Sequence, residues 1–137
     1  MNNKNEFLLV NLESFKNHFF AIPGGGVEQG ETLKNAVYRE LGEELGIKQE
    51  HLQAVGQSNI PVRFKFKIIK MNEDGIEYDG SERYFFGFKF IGDEKMIIPN
   101  PKEVRSYIWV SYGDLKDYLL FDNQLAETTE KILELFL

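Results

Sequence analysis

The stretch that most constrains this chain begins at Ala21-Ile22-Pro23, turns at Gly24-Gly25-Gly26 and continues into a proline-free run from Leu33 to Leu45. Thr32 is a candidate N-cap, and most residues after it favour helix. At about 100° per residue, Leu33, Ala36 and Val37 share one side of that helix, with Leu41 at its border. Glu40 and Glu44 fall inside the same stripe, one turn apart, and Glu43 lies at its edge. An ordinary surface helix keeps its charges opposite its apolar side, so a solvated acidic face predicts the wrong positions for these three. Paired carboxylates repel, and partial burial makes the pair costly unless a cation sits between them. The chain has no cysteine, and His18 and His51 are isolated, each reading as a loop or surface residue. An all-oxygen ligand set points to a hard divalent ion, Mg²⁺ or Mn²⁺.

With those residues in place, the segment from Gly25 to Ile47 resembles a complete Nudix box. Gly25, Glu31, Arg39-Glu40-Leu41, Glu43-Glu44 and Gly46-Ile47 fill every fixed position of the motif. A pattern of that length is far more specific than a lone glycine motif. The resemblance implies hydrolysis of a nucleoside diphosphate linked to another group. It implies Glu40 and Glu44 as the main metal ligands and the Gly24 carbonyl as a backbone ligand, at a turn where the main chain must approach an ion. Glu43 is implied to share the metal or to orient and deprotonate the attacking water. Glu31 and Arg39 are implied to pair and fix the loop after Gly25 against the helix. Glu103, in Asn100-Pro101-Lys102-Glu103-Val104, sits where related enzymes carry a further base or ligand; Asp79 and Glu82 are weaker candidates. The residues themselves leave open an incidental surface pair for Glu31 and Arg39 and a plain loop charge for Glu103.

At 137 residues the chain is sized for one domain spanning 1–137, and no repeat, linker or low-complexity tract divides it. Zero cysteines excludes disulfides and is compatible with a reducing cytoplasm. No apolar run reaches membrane-spanning length, and Met1 to Asn5 lacks a signal-peptide pattern. Strands are expected at Glu6–Asn11, His18–Ile22, Leu52–Ser58, Val62–Ile69, Arg83–Ile91 and Tyr107–Val110. A turn is expected at Asn72–Gly75 and an amphipathic helix from Leu125 to Leu137. The fold class that follows is α/β, a mixed sheet with helices on its faces, as in a Nudix-type α/β/α sandwich. One departure stands out. A typical member of the family has another strand before the one matching Glu6–Asn11, and here only Met1 to Asn5 precede it.

Substrate signals are thinner. Arg63, Lys65 and Lys67 on one side of a strand could steer phosphates or RNA, although a solvated outer face explains them more simply. Tyr78, Tyr84 and Phe85 could stack on a base, and aromatic residues in strands more often belong to a core. The net charge of −6 argues against broad nucleic-acid affinity. The segments Glu82–Phe86, Tyr107–Val110 and Phe121–Gln124 are similar to a branch of the family acting on dNTPs, dinucleoside polyphosphates or RNA 5′ ends. RNA-acting members usually carry Pro-Gln-Gly-Gly where this chain has Pro23-Gly24-Gly25-Gly26, so a free (d)NTP is the expected substrate and an RNA 5′ end or dinucleoside polyphosphate the runner-up. A non-catalytic binding module is the alternative of another class, and the intact Glu40, Glu43 and Glu44 set speaks against it. An oligomer is compatible with the sequence.

Overall fold

The computed structural model describes all 137 residues. In chain order it contains β1 (Glu6–Leu12), α1 (Leu33–Leu45), β2 (Leu52–Gln57), β3 (Val62–Met71), β4 (Glu77–Arg83), β5 (Phe86–Phe90), β6 (Val104–Ser111) and α2 (Gln124–Phe136), with short 3₁₀ turns between some of them. Helix α1 begins where the sequence places it: the Thr32 hydroxyl accepts from the Asn35 N–H, and Gly46 closes the helix in the left-handed region at φ 64°.

Strands pair as three antiparallel two-stranded ladders, β1 with β6, β2 with β5 and β3 with β4. Alternation along β1 sends its side chains to two different layers. Val10 joins Leu41, Leu45, Ile47, Phe90, Ile97 and Val104 on the α1 side. Phe7 and Leu9 join Val110, Leu115, Leu119 and Ile132 on the α2 side. This is the α/β/α arrangement expected, with β1 and β6 in the middle layer. No helix is long and apolar enough to cross a membrane.

Two local expectations change. His18–Ile22 is not a strand: a single bridge joins Val10 to Ala21. Asn11 explains this, because its side-chain amide donates to the carbonyls of Lys16 and Phe19 and holds the preceding residues in turns. The run from Arg83 to Ile91 is broken at Tyr84 and Phe85, so Arg83 ends β4 and the next strand begins at Phe86. Strand β4 itself, rich in charge and containing Gly80, carries no apolar alternation to reveal it. On β3, Phe64 and Ile68 meet no core and are exposed. Ahead of β1, Met1 alone takes a strand-like position: its N–H donates to the Phe88 carbonyl and its carbonyl accepts from the Phe90 N–H.

Candidate metal-dependent active site

Helix α1 turns Glu44 inward. The residue is only 5 % exposed, and its Oε2 is buried with no hydrogen-bond partner. A buried charged oxygen without a partner is expensive, and native structures keep such groups for a reason. Burial raises the Glu44 pKa to about 7, and the nearby charges of Glu40, Glu103 and Glu43 push the same way against the Gly24 backbone N–H. Glu40 is raised from the ordinary value, mainly by burial, with Arg39 opposing and Glu43 and Glu103 adding to it. One turn of helix and one loop thus put the four acidic groups expected from sequence within electrostatic reach of one another.

The glycine turn fits over this helix. A Cβ on Gly25 would fall on the Glu40 carboxylate itself, so the missing side chain is what lets Glu40 lie against the turn. Arg39 ties the parts together. Its Nε and Nη2 donate to the two Glu31 oxygens at 2.8 and 3.0 Å, and Nη2 also donates to the Gly26 carbonyl at 2.7 Å. Its Nη1 reaches Glu40 at 2.9 Å and Glu43 at 3.2 Å. Hydrogen bonding from Arg39 holds Glu31 below the usual carboxylate range, and Glu31 in turn raises the Arg39 pKa. The pairing of Glu31 with Arg39 is therefore built into the loop.

Glu103 reaches the site through a contact that sequence reading missed. The Asn100 N–H donates to the Glu44 carbonyl at 2.8 Å and the Ile98 N–H to the Leu45 carbonyl at 2.9 Å, so the loop is laced to the end of α1. Asn100 then turns the chain by accepting from the backbone N–H groups of Glu103 and Val104. The Asn100-Pro101 pair was the available signal, since Asn before Pro favours a turn. Arg105, also unforeseen, braces the far side by donating to Asn11 and to the carbonyls of Glu13 and Phe15. Asp79 and Glu82 lie on the β3–β4 hairpin, where Glu82 is taken up by Arg63 and Tyr84. Neither is among the charges acting on Glu40 or Glu44.

The donor set suits a hard divalent cation: carboxylates, a backbone turn, no sulfur and an orphaned buried oxygen. No closed cluster of three acidic or histidine groups is preformed, because Arg39 draws Glu40 and Glu43 toward itself. The chain matches the NUDIX domain over residues 1–136. It belongs to the Nudix family.

Among relatives, it is 33% identical over 104 residues to an RNA pyrophosphohydrolase of Psychromonas ingrahamii, covering 72% of this chain and 57% of that one. The chain spans only 55% to 59% of the length of the curated relatives it matches. Its fold superposes on the E. coli dihydroneopterin triphosphate pyrophosphohydrolase with a TM-score of 0.71 at 17% identity, covering 96% of this chain and 88% of that one. A C. elegans Ap4A hydrolase complex gives 0.65 at 20% identity, covering 94% and 83%. Nudix architecture is thus retained with the strands in separate ladders.

Proposed function

We propose that this Nudix chain hydrolyses a phosphoanhydride bond in a nucleoside diphosphate linked to another group. The observation that carries this reading is Glu44, buried with an unpartnered oxygen beside Glu40, Glu43 and Glu103. Glu40, Glu44 and the Gly24 carbonyl, with Glu43, would hold Mg²⁺ or Mn²⁺, which when bound neutralises phosphate oxygens and acidifies a coordinated water. Glu43 and Glu103 are the residues available to orient the attacking water and take its proton. Arg39 and Glu31 position Glu40 and the glycine turn.

A free (d)NTP is the substrate read from the sequence. An RNA 5′ end is the second reading, favoured by the RNA pyrophosphohydrolases among the relatives. The test is a product-resolved hydrolysis screen over (d)NTPs, dinucleoside polyphosphates, nucleotide sugars and 5′-triphosphorylated RNA. Metal-dependent turnover of one class is expected, and Glu44→Gln should lose at least about three orders of magnitude, equivalent to roughly 4 kcal/mol of barrier, while remaining folded. Equal, negligible turnover by both proteins on every substrate would sink the catalytic reading.

A further inference from the structure

Strands β3 and β4 form a hairpin that joins neither of the other ladders. Its base is pinned to α2: Lys131 Nζ donates to the Ile60 carbonyl at 2.8 Å, and Glu134 accepts from the Asn59 N–H and the Ser58 hydroxyl. Beyond that base, aromatic rings line one side, with Phe64 and Tyr78 exposed and Phe66 half-buried between them. Phe64 and Phe66 have ring centroids 5.9 Å apart, and Phe66 and Tyr78 5.8 Å apart. Phe64 is 56 % exposed and Tyr78 40 % exposed. The rings pair with one another, Phe66 with Tyr78 across the strands, and Phe64 and Tyr78 still keep open surface toward solvent.

Charge is sorted between the two sides. The Lys70 ammonium stands 4.4 Å over the Phe66 ring, and Arg83, opposite Val62, shares the side of Phe64. Glu82, opposite Arg63, and Glu77, opposite Met71, take the alternate positions and face the other way. Arg63 pairs with Glu82 at 3.1 Å; since Glu77 also lies there, the Arg63 and Lys65 side mixes both signs of charge. Asp79 falls in the register shift opposite Lys65 to Lys70, where alternation fails. Among the residues whose side the pairing fixes, the aromatic side thus carries Lys70 and Arg83, no carboxylate, and the exposed rings of Phe64 and Tyr78.

We propose that this side of the β3–β4 hairpin is a stacking platform for single-stranded RNA. The inference rests on the second substrate reading given above, an RNA 5′ end, and assigns Phe64, Phe66 and Tyr78 to nucleotides further along the strand. Bases stack on such rings with little sequence preference, and the two cations meet the backbone phosphates. Two copies of the chain meeting on this side would instead bring like charges together. A net charge of −6 opposes diffuse attraction, so binding depends on these local contacts.

The test is fluorescence anisotropy at low salt with a 5′-hydroxyl oligouridylate of about 12 nucleotides, a length within the range single-strand platforms cover. Phe64→Ala with Tyr78→Ala should weaken binding by about 10- to 100-fold. Lys70→Glu should also weaken it, and Lys65→Glu, on the other side, should change it by less than about twofold. All variants should retain mononucleotide turnover and melting temperature, while the first two raise KM for 5′-triphosphorylated RNA. Wild type that fails to bind the oligomer overturns the proposal, as does equal loss from Lys65→Glu and Lys70→Glu. A dimer in sedimentation that Phe64→Ala dissolves also overturns it, making this side a self-interface. Oligomer binding that persists with no turnover of any substrate supports the platform and defeats the catalytic reading alone.

Discussion

Glu44 is held in a place that disfavours its charge, and this has a stability consequence of definite sign. Its pKa in the folded chain is about 7, against an ordinary value of 4.5. Between those values the folded protein keeps a proton that the unfolded chain has released, so stability must fall as pH rises through that window. The expected loss in metal-free protein is on the order of 3 kcal/mol, present below about pH 4.5 as stabilisation and gone above about pH 7. Urea unfolding in chelator at pH 5 and pH 8 measures it, and Glu44→Gln should flatten the difference. Divalent metal should restore stability at the higher pH, because binding needs the ionised form. Gly25 makes a complementary case. Gly25→Ala meets the flexible end of Glu40 and no backbone, so the fold should survive with a change under about 1 kcal/mol. Displacing Glu40 should nevertheless lower kcat by about 100-fold, the scale of a 1 Å error in a catalytic group, and steady-state kinetics beside a melting curve separate the two effects.

At the scale of elements, α1 and the loop before it behave as one unit because Arg39 spans them. Arg39→Lys keeps a charge but loses the planar fork that serves Glu31, Gly26 and Glu40 together. The helix should persist by circular dichroism, while amide exchange rises across residues 27–31 and kcat drops by about 10- to 100-fold. An unchanged exchange pattern would show the loop to be fixed by something else. The helix was legible in the sequence because cap, stripe and stop agree: Thr32, the apolar face and Gly46 all mark the same boundaries. The acidic cluster was legible for the opposite reason, since Glu40 and Glu44 break the helical pattern at the positions that point inward. The strands were read less well wherever side chains, not periodicity, decide the path. Asn11 bonds the turn residues and prevents a strand at His18–Ile22, and nothing in the local pattern announces an interaction at that separation. Alternation in β3 correctly marked a strand, yet period alone does not tell whether the apolar side meets a core or water. The link from Asn100 to the end of α1 is a long-range backbone contact, so the placement of Glu103 required the fold.

Across the whole molecule, the β1–β6 and β2–β5 ladders share no strand pairing; Met1, bonded to Phe88 and Phe90, the Phe90–Trp109 ring pair at 5.8 Å and packing against the helices hold them together. Helix α2 is one of these bridges. The Phe136 ring meets Phe7 of β1 edge-on at 5.6 Å, and Leu135 and Phe136 lie so close over Gly87 of β5 that an added Cβ would sit 3.2 Å from each. Between the ladders lies a cavity of about 150 Å³ whose walls include Leu8, Leu41, Phe88, Phe90, Trp109 and Phe136, with the Trp109 indole N–H buried and unpartnered. Packing at this seam is already incomplete, so a further loss of volume there cannot readily be absorbed by collapse. Phe136→Ala should cost about 3 kcal/mol, near the lower end of the range for removing a packed phenyl ring because Phe136 is only partly buried. More telling than the magnitude is the form of the transition. If α2 couples the ladders, Phe136→Ala should split unfolding: amides of β2 and β5 should exchange before those of β1 and β6, and the calorimetric enthalpy should exceed the van't Hoff value. A single, fully cooperative transition in the variant would instead assign the coupling to the other contacts across the seam: the Phe90–Trp109 pair, Met1, and α1, whose Leu41 and Leu45 share a cluster with Val10 of β1 and Phe90 of β5. In that case the helix that carries Glu40 and Glu44 would also help unite the fold, and Leu41→Ala, one residue from Glu40, should slow turnover and lower the melting temperature together.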